Sequence, residues 1–445
     1  MMRKVAVVGM DGVFPTCDGL QEFSDKLFSN QSLIREWPEA LKYEKQLRSK
    51  VSGFISLEEC GLRQVDSSIL EDYPEFYEDL QERIPKGFLS TSDLGAIWAM
   101  FSTLGALKMA NWTTSEIKSE RTGVVVGSAG AGHSIMRASW KNFFDLGKKS
   151  RALGTHNVDR TMVYRDAANI ACLIQSKGVC EAIGSACATG LGNIGYAARL
   201  IAWGDQDRII CGGTEATSIE TFIGFDAMQV LSSGFSPAES SRSFDKNRKG
   251  FVCSFGCGIV ALEAYDLAKA RGANILAVID QYFNNGDGDG DMFAPSYDGQ
   301  MRLLKGVIGN HKLPDVVKAH GTSTITGDMV ELTSIASFLK GHQFHISAPK
   351  SQFGHMLGAA GAVEFIAALL MLKEQKVSPC LNANELSEDL EQTQLSPNWR
   401  GPLIPAAQHR ELIPTQTITK EINNIVCLNY GFGGTNSAIS ISKPY

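Results

Sequence analysis

The chain has 445 residues, of which 44% are apolar and 20% are charged, a composition typical of a globular protein with two or three domain-sized units. Its formal net charge of −6 argues against a nucleic acid as the main partner, and no apolar stretch reaches the roughly eighteen residues that a membrane span requires. The ten cysteines lack a paired framework and C-x-x-C spacing, which indicates a reduced, cytoplasmic protein without a disulfide scaffold.

The first part of the chain predicts strands that alternate with helices. A buried strand begins at Val5, and a helix follows around Leu20 to Phe28. The segment Gln31 to Pro85 has weak periodicity and indicates least about function. From Leu94 apolar residues recur at helical spacing, and the run Thr122-Gly-Val-Val-Val-Gly127 predicts another buried strand. This alternation predicts an α/β protein with largely parallel sheets.

The stretch around Cys187 combines a strand pattern with a helix pattern. The apolar run Val179 to Ala186 predicts a strand, and the small and apolar residues up to Ala202 predict a helix. Cys187 then lies at the start of a helix, where free backbone N–H groups and the helix dipole favour a reactive thiolate. The alternative is a small buried cysteine with no chemical role.

The same helix carries a pattern of glycines that needs a separate explanation. Gly190, Gly192 and Gly195 match G-x-G-x-x-G, and Glu215 lies about twenty residues further on, as in dinucleotide-binding sites. However, these glycines fall inside the predicted helix and not at the preceding turn. Close packing of the helix on its neighbours is therefore the favoured interpretation, and a nucleotide site is the alternative.

Two histidines follow later predicted strands. His320 comes after the run that starts at Val316, and His355 follows the run that starts at Ile346. Ligand sites of α/β proteins assemble just past the carboxyl ends of such strands. A cysteine and two histidines placed in this way suit acyl transfer, followed by a step that polarises a carbonyl or a departing carboxylate. The rhythm of strands and helices also repeats, which predicts two similar halves, residues 1–265 and 266–445.

Several of these segments carry a family resemblance, which extends from Val5 to Ser442. They resemble the β-ketoacyl-acyl-carrier-protein synthases, with features of the elongating synthase I and II types. The resemblance implies the thiolase fold: two similar βαβαβαββ halves in five layers (αβαβα), usually in a homodimer. The segments are Ser185-Ala-Cys187-Ala-Thr, Phe225-Asp-Ala-Met228, Ser241 to Phe251, His320-Gly-Thr-Ser-Thr324, Lys350 to Gly361, and Asn429-Tyr-Gly-Phe432-Gly-Gly-Thr-Asn436.

The resemblance implies a decarboxylative Claisen condensation between an acyl chain and malonyl-ACP, where ACP is acyl carrier protein. Cys187 would hold the acyl group as a thioester. His320 and His355 would promote decarboxylation of the malonyl group and stabilise the enolate, so that the product is 3-oxoacyl-ACP. No metal and no enzyme-bound cofactor are expected, because the 4′-phosphopantetheine of ACP carries the substrates.

The resemblance also implies roles for supporting residues. Backbone N–H groups of Cys187 and Phe432 would form an oxyanion hole, and Lys350 and Glu331 would form an ion pair that orders the histidines. The remaining implied roles are the binding of the phosphopantetheine arm by Thr322 and Thr324, the gate of the acyl pocket formed by Phe225 and Phe432, and the docking of ACP by Lys148, Lys149, Arg151, Arg83 and Lys86.

Some residues depart from the family pattern and keep alternatives open. A thiolase shares the fold but uses a second cysteine in a C-terminal Cys-x-Gly turn, where this chain has Tyr430-Gly-Phe432-Gly, with Cys427 before the turn. A non-catalytic partner subunit of the chain-length-factor kind, which would form a heterodimer with a second synthase-like chain, is the other alternative. Polyketide or polyene elongation also remains open. The departures are Pro349, Gln352, Phe353, Tyr430, a long segment from Glu39 to Pro85, and the region Asn157 to Asn169 around the expected acyl pocket.

Overall fold

The computed structural model describes residues 2–55, 92–153, 157–289, 291–309, 311–386, 401–402 and 406–444. Within these ranges, every helix is too short or too polar to cross a membrane.

The described strands, numbered in chain order, range from two to ten residues. They are β1 (Val5–Val13), β2 (Arg35–Glu36), β3 (Val51–Ser52), β4 (Thr122–Gly127), β5 (Cys180–Glu181), β6 (Arg208–Glu215), β7 (Gly256–Ala264), β8 (Ala277–Gly286), β9 (Val316–Lys318), β10 (His345–Ser347), β11 (Lys376–Val377), β12 (Ile418–Thr419), β13 (Asn424–Gly431) and β14 (Thr435–Ser442).

The described α-helices are numbered in the same way. They are α1 (Gly19–Leu27), α2 (Pro38–Leu41), α3 (Leu94–Ala110), α4 (Thr114–Ile117), α5 (His133–Trp140), α6 (Arg165–Ile174), α7 (Thr189–Trp203), α8 (Ile219–Ala227), α9 (Tyr265–Ala270), α10 (Tyr297–Val307), α11 (Ile325–Phe338), α12 (Lys350–Phe353) and α13 (Leu357–Glu374).

The order of the strands repeats within the large sheet. Ten strands are joined in the order β10-β9-β13-β14-β8-β1-β7-β6-β4-β5. Read outward from the centre, β1-β7-β6-β4-β5 and β8-β14-β13-β9-β10 have the same plan, in which the first two pairs are antiparallel and the last two are parallel. This repeat confirms the expected two similar halves. The division of the chain at residues 265 and 266 stays a prediction.

The helices form three layers around the two groups of strands. α7 and α13 pack on each other and contact strands of both halves, so they form the central layer. α3 and α6 cover the outer face of one half, and α10 and α11 cover the other. α13 is buried along almost its whole length, as expected of a helix that is apolar on all sides. These layers give the five-layered thiolase-like arrangement.

Close packing explains two of the glycines in α7. A Cβ atom at Gly190 would lie 2.7 Å from the backbone nitrogen of Ala362 in α13, and one at Gly195 would lie 2.0 Å from the Tyr282 ring. The interpretation that favoured helix packing over a phosphate site is therefore confirmed at these positions.

The strand before Cys187 is shorter than predicted. Only Cys180–Glu181 pairs with β4, and Ala186–Ala188 form a 3₁₀ turn that leads into α7. Between these two segments, backbone N–H groups form hydrogen bonds with side chains of α7 and not with a neighbouring strand. Ile183 N–H donates to the Asn193 side chain at 2.8 Å, and Ser185 N–H donates to the Thr189 hydroxyl at 2.9 Å. These bonds replace the strand ladder with an irregular loop.

Candidate active site

A cavity of about 500 Å³ brings the three reactive residues of the sequence prediction together. Cys187, His320 and His355 all line it, although they come from three separate segments of the chain. The predicted supporting residues that also line the cavity are Glu331, Thr322, Thr324, Phe225 and Phe432.

Cys187 lies in the 3₁₀ turn before α7 and is 8% exposed. Its burial raises the pKa of the thiol to about 12, and the positive charge of Lys350 opposes this rise. At neutral pH Cys187 is therefore a neutral thiol, in contrast to the thiolate that its place at a helix start predicted. The nucleophile must lose its proton as substrate arrives, which requires a proton acceptor in the cavity.

The backbone at His320 is fixed by Glu331 of α11. The two carboxylate oxygens of Glu331 accept the backbone N–H of His320 at 2.6 Å and that of Gly321 at 2.7 Å. Burial raises the pKa of Glu331 to about 7, although these two N–H groups act in the opposite direction. Glu331 thus shapes the turn that carries His320.

Lys350 is paired with a different carboxylate from the one predicted. Its ammonium lies 2.5 Å from Glu364 of α13, donates to the backbone oxygen of His320 at 2.7 Å and lies 3.2 Å from His320 Nδ1. The predicted ion pair with Glu331 was therefore wrong. Both carboxylates are near His320, but Glu331 is occupied by backbone N–H groups, whereas Glu364 projects from the central helix towards Lys350.

Three functional residues were missed by the sequence prediction. Glu364, Lys318 and Asn429 are buried and form contacts beneath His320. Two of them left a signal in the sequence: Lys318 is the one charge in the apolar strand before His320, and Glu364 is the one charge in the apolar run Leu357 to Leu372. A charge at such a position requires a buried partner.

The protonation state of His320 follows from its neighbours. Its Nδ1 faces Lys350 Nζ and, at 3.3 Å, Asn429 Nδ2, and both of these nitrogens are donors. Nδ1 must therefore accept, which leaves the ring neutral with its proton on Nε2. Burial first, then the charges of Lys350 and Lys318, lowers the pKa of both His320 and His355 well below 6.5.

His355 completes the pair of histidines. Its ring is almost perpendicular to that of His320, and the two centroids are 5.3 Å apart. Its backbone is held by residues of the 252–254 segment: His355 N–H donates to Val252 O at 2.8 Å, and His355 O accepts from Ser254 N–H at 2.9 Å. Among the described residues, none forms a hydrogen bond with His355 Nδ1, so the backbone positions this ring.

A row of aromatic rings connects the cavity surface with His355. Phe432, which is 36% exposed, lies 5.6 Å from Phe293 and 6.4 Å from Phe225. Phe225 contacts Phe251 at 5.2 Å, and Phe251 contacts His355 at 5.3 Å. The two predicted gate residues are thus in contact within the cavity wall.

The β13–β14 hairpin places Phe432 next to the loop of the nucleophile. The Thr435 hydroxyl in this hairpin donates to the backbone oxygen of Ser185 at 3.1 Å. Thr322 and Thr324 also line the cavity, and their hydroxyls are 3.0 Å apart.

Two family models match the sequence. The Beta-ketoacyl synthase N-terminal domain matches residues 2–268, and the Beta-ketoacyl synthase C-terminal domain matches residues 276–384. The chain belongs to the β-ketoacyl synthase family. As an enzyme of this family, it is an acyltransferase.

Individual relatives match over the full length of the chain. It is 32% identical to 3-oxoacyl-[acyl-carrier-protein] synthase 1 of Haemophilus influenzae, covering 100% of both chains. It is 31% identical to the synthase 1 of Escherichia coli K12, covering 99% of both chains. Among solved structures, it matches a beta-ketoacyl synthase from Burkholderia phymatum with a TM-score of 0.82 and 25% identity, and the type II PKS ketosynthase–carrier complex AntDE:AntF with 0.81 and 25%, each over 100% of both chains.

Two departures of this family member from the synthase pattern lie away from the cavity, and most of the long segment from Glu39 to Pro85 lies outside the described residues. The Gln352 amide donates to Leu27 O at 3.1 Å, and the Phe353 ring lies 5.7 Å from Phe23, so both residues contact α1. Tyr430, in contrast, lines the cavity, with its ring 5.6 Å from His320. The pattern of cavity residues is therefore altered next to a histidine.

The predicted docking residues are only partly placed. Lys148, Lys149 and Arg151 are exposed and lie outside the cavity lining. Arg83 and Lys86 lie outside the described residues.

Proposed function

We propose that the protein is a 3-oxoacyl-[acyl-carrier-protein] synthase that condenses an acyl chain with malonyl-ACP. The observation that carries this proposal is the cavity itself, in which Cys187 lies with a neutral His320 whose Nε2 bears a proton, and with a neutral His355. A nucleophile and hydrogen-bond donors for a developing enolate are what the two stages of this condensation require.

In the first stage, Cys187 takes the acyl chain. Its sulfur loses a proton and attacks the carbonyl of acyl-ACP, and the pantetheine sulfur leaves and is protonated. Backbone N–H groups of Cys187 and Phe432 would stabilise the oxyanion, at about 2.7–4 kcal/mol for each such donor. Thr322 and Thr324 would hold the pantetheine arm, and rotation of Phe432 against Phe225 would admit the chain.

In the second stage, malonyl-ACP enters with its thioester oxygen towards the histidines. The bond to its carboxylate breaks, CO₂ leaves, and the electron pair forms an enolate, to which His320 Nε2–H and His355 would donate hydrogen bonds. The enolate carbon attacks the acyl carbonyl on Cys187, and the bond to sulfur breaks, so that Cys187 leaves as a thiolate and takes up a proton to restore the thiol. Because both histidines are neutral, they donate hydrogen bonds without adding a positive charge that would hold the carboxylate in place.

Names of the relatives support this assignment of substrates. The full-length bacterial relatives are named as synthases that act on acyl carrier protein, and one structural neighbour is a ketosynthase in complex with its acyl-carrier protein. The exposed cations Lys148, Lys149 and Arg151 are candidates for docking the carrier. No enzyme-bound cofactor is assigned, because the carrier delivers both substrates.

Acylation of Cys187 tests the first stage. Purified protein is mixed with a set of acyl-ACPs, and intact mass and peptide mapping identify both the modified residue and the chain that it carries. Cys187→Ser is expected to lose at least a thousandfold in acyl transfer, and Cys172→Ser, which removes an exposed thiol, is expected to transfer normally. Unchanged acylation of the Cys187→Ser variant would exclude the proposed nucleophile.

The alternatives receive less support from the site. A thiolase needs a second reactive cysteine, but among the described cysteines only Cys187 lines the cavity, and Cys427 is buried within β13. Condensation of acetyl-CoA without malonyl-ACP would favour a thiolase. Activity only after mixing with a second synthase-like chain would favour a partner subunit, although such subunits do not need the three reactive residues found here.

We also propose that the protein is a cytoplasmic homodimer. Free thiols at all nine described cysteines support a reducing compartment. A set of exposed apolar side chains between residues 140 and 164 supports association with a second copy, and light scattering after gel filtration tests for a mass of two chains. These side chains are Trp140, Phe143, Phe144, Leu146, Val158, Met162, Val163 and Tyr164.

A further inference from the structure

Lys318 is a buried lysine to which the proposed reaction steps assign no role of its own. It is the last residue of β9, its side chain is fully buried, and it precedes His320 by two residues. Side chains two apart in an extended chain point to the same face. The ammonium of Lys318 therefore lies on the same side of the backbone as the His320 ring.

All three protons of the Lys318 ammonium have partners. Nζ lies 2.5 Å from Glu364 Oε2, donates to Leu428 O at 2.6 Å and donates to Asn429 Oδ1 at 2.9 Å. The other oxygen of Glu364 is paired with Lys350 at 2.5 Å. Two ammonium groups thus share one carboxylate, and the buried cluster carries one net positive charge directly beneath His320.

The contacts with Lys318 and Glu364 together set which way the Asn429 amide faces. Because Lys318 can only donate, the amide oxygen must face it, and the amide nitrogen must face the other side. There Nδ2 lies 3.2 Å from Glu364 Oε2 and 3.3 Å from His320 Nδ1. A rotated amide would instead present its oxygen to Nδ1 and would favour a proton on that nitrogen, against the single remaining donor, Lys350 Nζ at 3.2 Å.

We propose that Lys318 is a positioning residue which, through Asn429, holds His320 in the tautomer that carries its proton on Nε2. Under the proposed function, on which this role rests, only that tautomer donates a hydrogen bond from Nε2 to the developing enolate. Lys318 is thus required for the decarboxylation stage, and acyl transfer to Cys187 proceeds without it.

The positive charge of Lys318, like its contact with Asn429, favours a neutral His320. Together with Lys350, it opposes protonation of His320 and His355, whose pKa values lie well below the usual value. Loss of this charge raises both pKa values, so the acidic limb of the pH profile moves to higher pH. The titratable or charged groups around the His320 ring are Lys318, Lys350, Glu331, Glu364, His355, Tyr430 and Cys187.

The test compares Lys318→Met with wild-type protein and with Lys305→Met, which removes one exposed lysine from α10. Methionine has a similar length and no charge, and Glu364 keeps its partner Lys350, so no unpaired carboxylate is buried. Three quantities are measured: acylation of Cys187, CO₂ release from malonyl-ACP, and the tautomer of His320. The last comes from long-range ¹H–¹⁵N spectra of ¹⁵N-histidine-labelled protein, assigned with His320→Gln.

For Lys318→Met, kcat for CO₂ release is expected to fall roughly 10- to 100-fold, with an unchanged KM and with acylation within about threefold of wild type. The His320 signals should show a proton on Nδ1 in part of the molecules, and the acidic limb should move upward. A wild-type tautomer of His320 in Lys318→Met would overturn the proposal, as would equal losses in both stages. If wild-type protein neither acylates nor decarboxylates, the proposed function fails, while the spectra still decide the role of Lys318.

Asn429→Ala keeps the proposal testable if Lys318→Met does not fold. This variant removes the relay but leaves both lysines and Glu364 in place. It should change the His320 tautomer and reduce CO₂ release as Lys318→Met does. The double variant should release CO₂ little more slowly than either single variant, because both changes break the same chain of contacts. A wild-type tautomer in Asn429→Ala would overturn the proposal.

Discussion

A buried carboxylate behind the nucleophile makes the stability of the protein depend on pH. Glu215 ends β6, is 3% exposed, and uses one oxygen to accept the backbone N–H of Ala129 and of Gly358, both at 3.0 Å. It thereby joins the turn after β4 to the start of α13. Burial raises the pKa of Glu215 from 4.5 to about 8, although both N–H groups oppose the rise.

The size of the effect follows from this pKa. Between pH 4.5 and about pH 8 the folded protein keeps a proton on Glu215 that the unfolded chain has lost, so the free energy of unfolding falls as pH rises. At about 1.4 kcal/mol for each pKa unit, the loss reaches about 5 kcal/mol above pH 8. Glu215→Gln keeps the accepting oxygen but cannot ionise. The free energy of unfolding of this variant should equal that of wild type near pH 4.5 and should exceed it by several kcal/mol at pH 9.

Thermal unfolding of both proteins at pH 5, 7 and 9 measures this difference. At roughly 2 °C per kcal/mol, the midpoint of Glu215→Gln should rise above that of wild type by about 10 °C at pH 9 and hardly at all at pH 5. Taking the difference at each pH cancels the titration of all other groups. Glu120→Gln, which removes an exposed carboxylate, is the matched control. A difference that does not change with pH would refute the assigned cause.

Three further predictions concern the site and the central layer. Because burial raises the pKa of Cys187 to about 12, alkylation of Cys187 by iodoacetamide should accelerate about tenfold per pH unit from pH 7 to pH 10. Because the pKa values of His320 and His355 are lowered, the rate of CO₂ release from malonyl-ACP should stay constant from pH 7 to pH 5.5. If the histidines had a pKa of 6.5, this rate would fall about tenfold over the same range. Gly190→Ala should cost on the order of 1–3 kcal/mol of unfolding free energy through overpacking, whereas Gly224→Ala, at an open helix position, should gain about 0.5–1 kcal/mol.

Each of these predictions has a result that would contradict it. A plateau of alkylation below pH 9 would mean a more acidic thiol than burial allows. An acidic limb centred near pH 6.5 would show that a histidine of ordinary pKa controls decarboxylation. Equal midpoints of thermal unfolding for the two glycine variants would remove close packing as the reason for the glycine in α7.

Elements with strong local patterns were predicted well from the sequence. The helical spacing from Leu94 corresponds to α3, whose first turn is capped by Asp93 accepting from Ala96 N–H at 2.9 Å. The strand predicted over Thr122 to Gly127 has the same bounds in the structure. The signal is helical periodicity in the first case and a continuous apolar run in the second, and a short segment of chain contains each of them in full.

Predictions that depended on distant partners were less successful. The strand predicted over Val179 to Ala186 was mostly wrong. Backbone N–H groups of this segment donate to the side chains of Asn193 and Thr189 in α7 and not to a neighbouring strand. The ion pair between Lys350 and Glu331 was predicted only from the family resemblance. The true partner, Glu364, is fourteen residues further along the chain than Lys350 and reaches it from the central helix.

The sequence by itself determined the alternation of strands and helices, the family, and the identity of Cys187, His320 and His355, because these depend on residue type and order along the chain. Only the tertiary structure decided how these groups are protonated. Burial keeps Cys187 a thiol, and burial together with the positive charges of Lys350 and Lys318 keeps the histidines neutral. Protonation depends on solvent exclusion and on charges within a few ångströms, and both arise only when distant segments pack together.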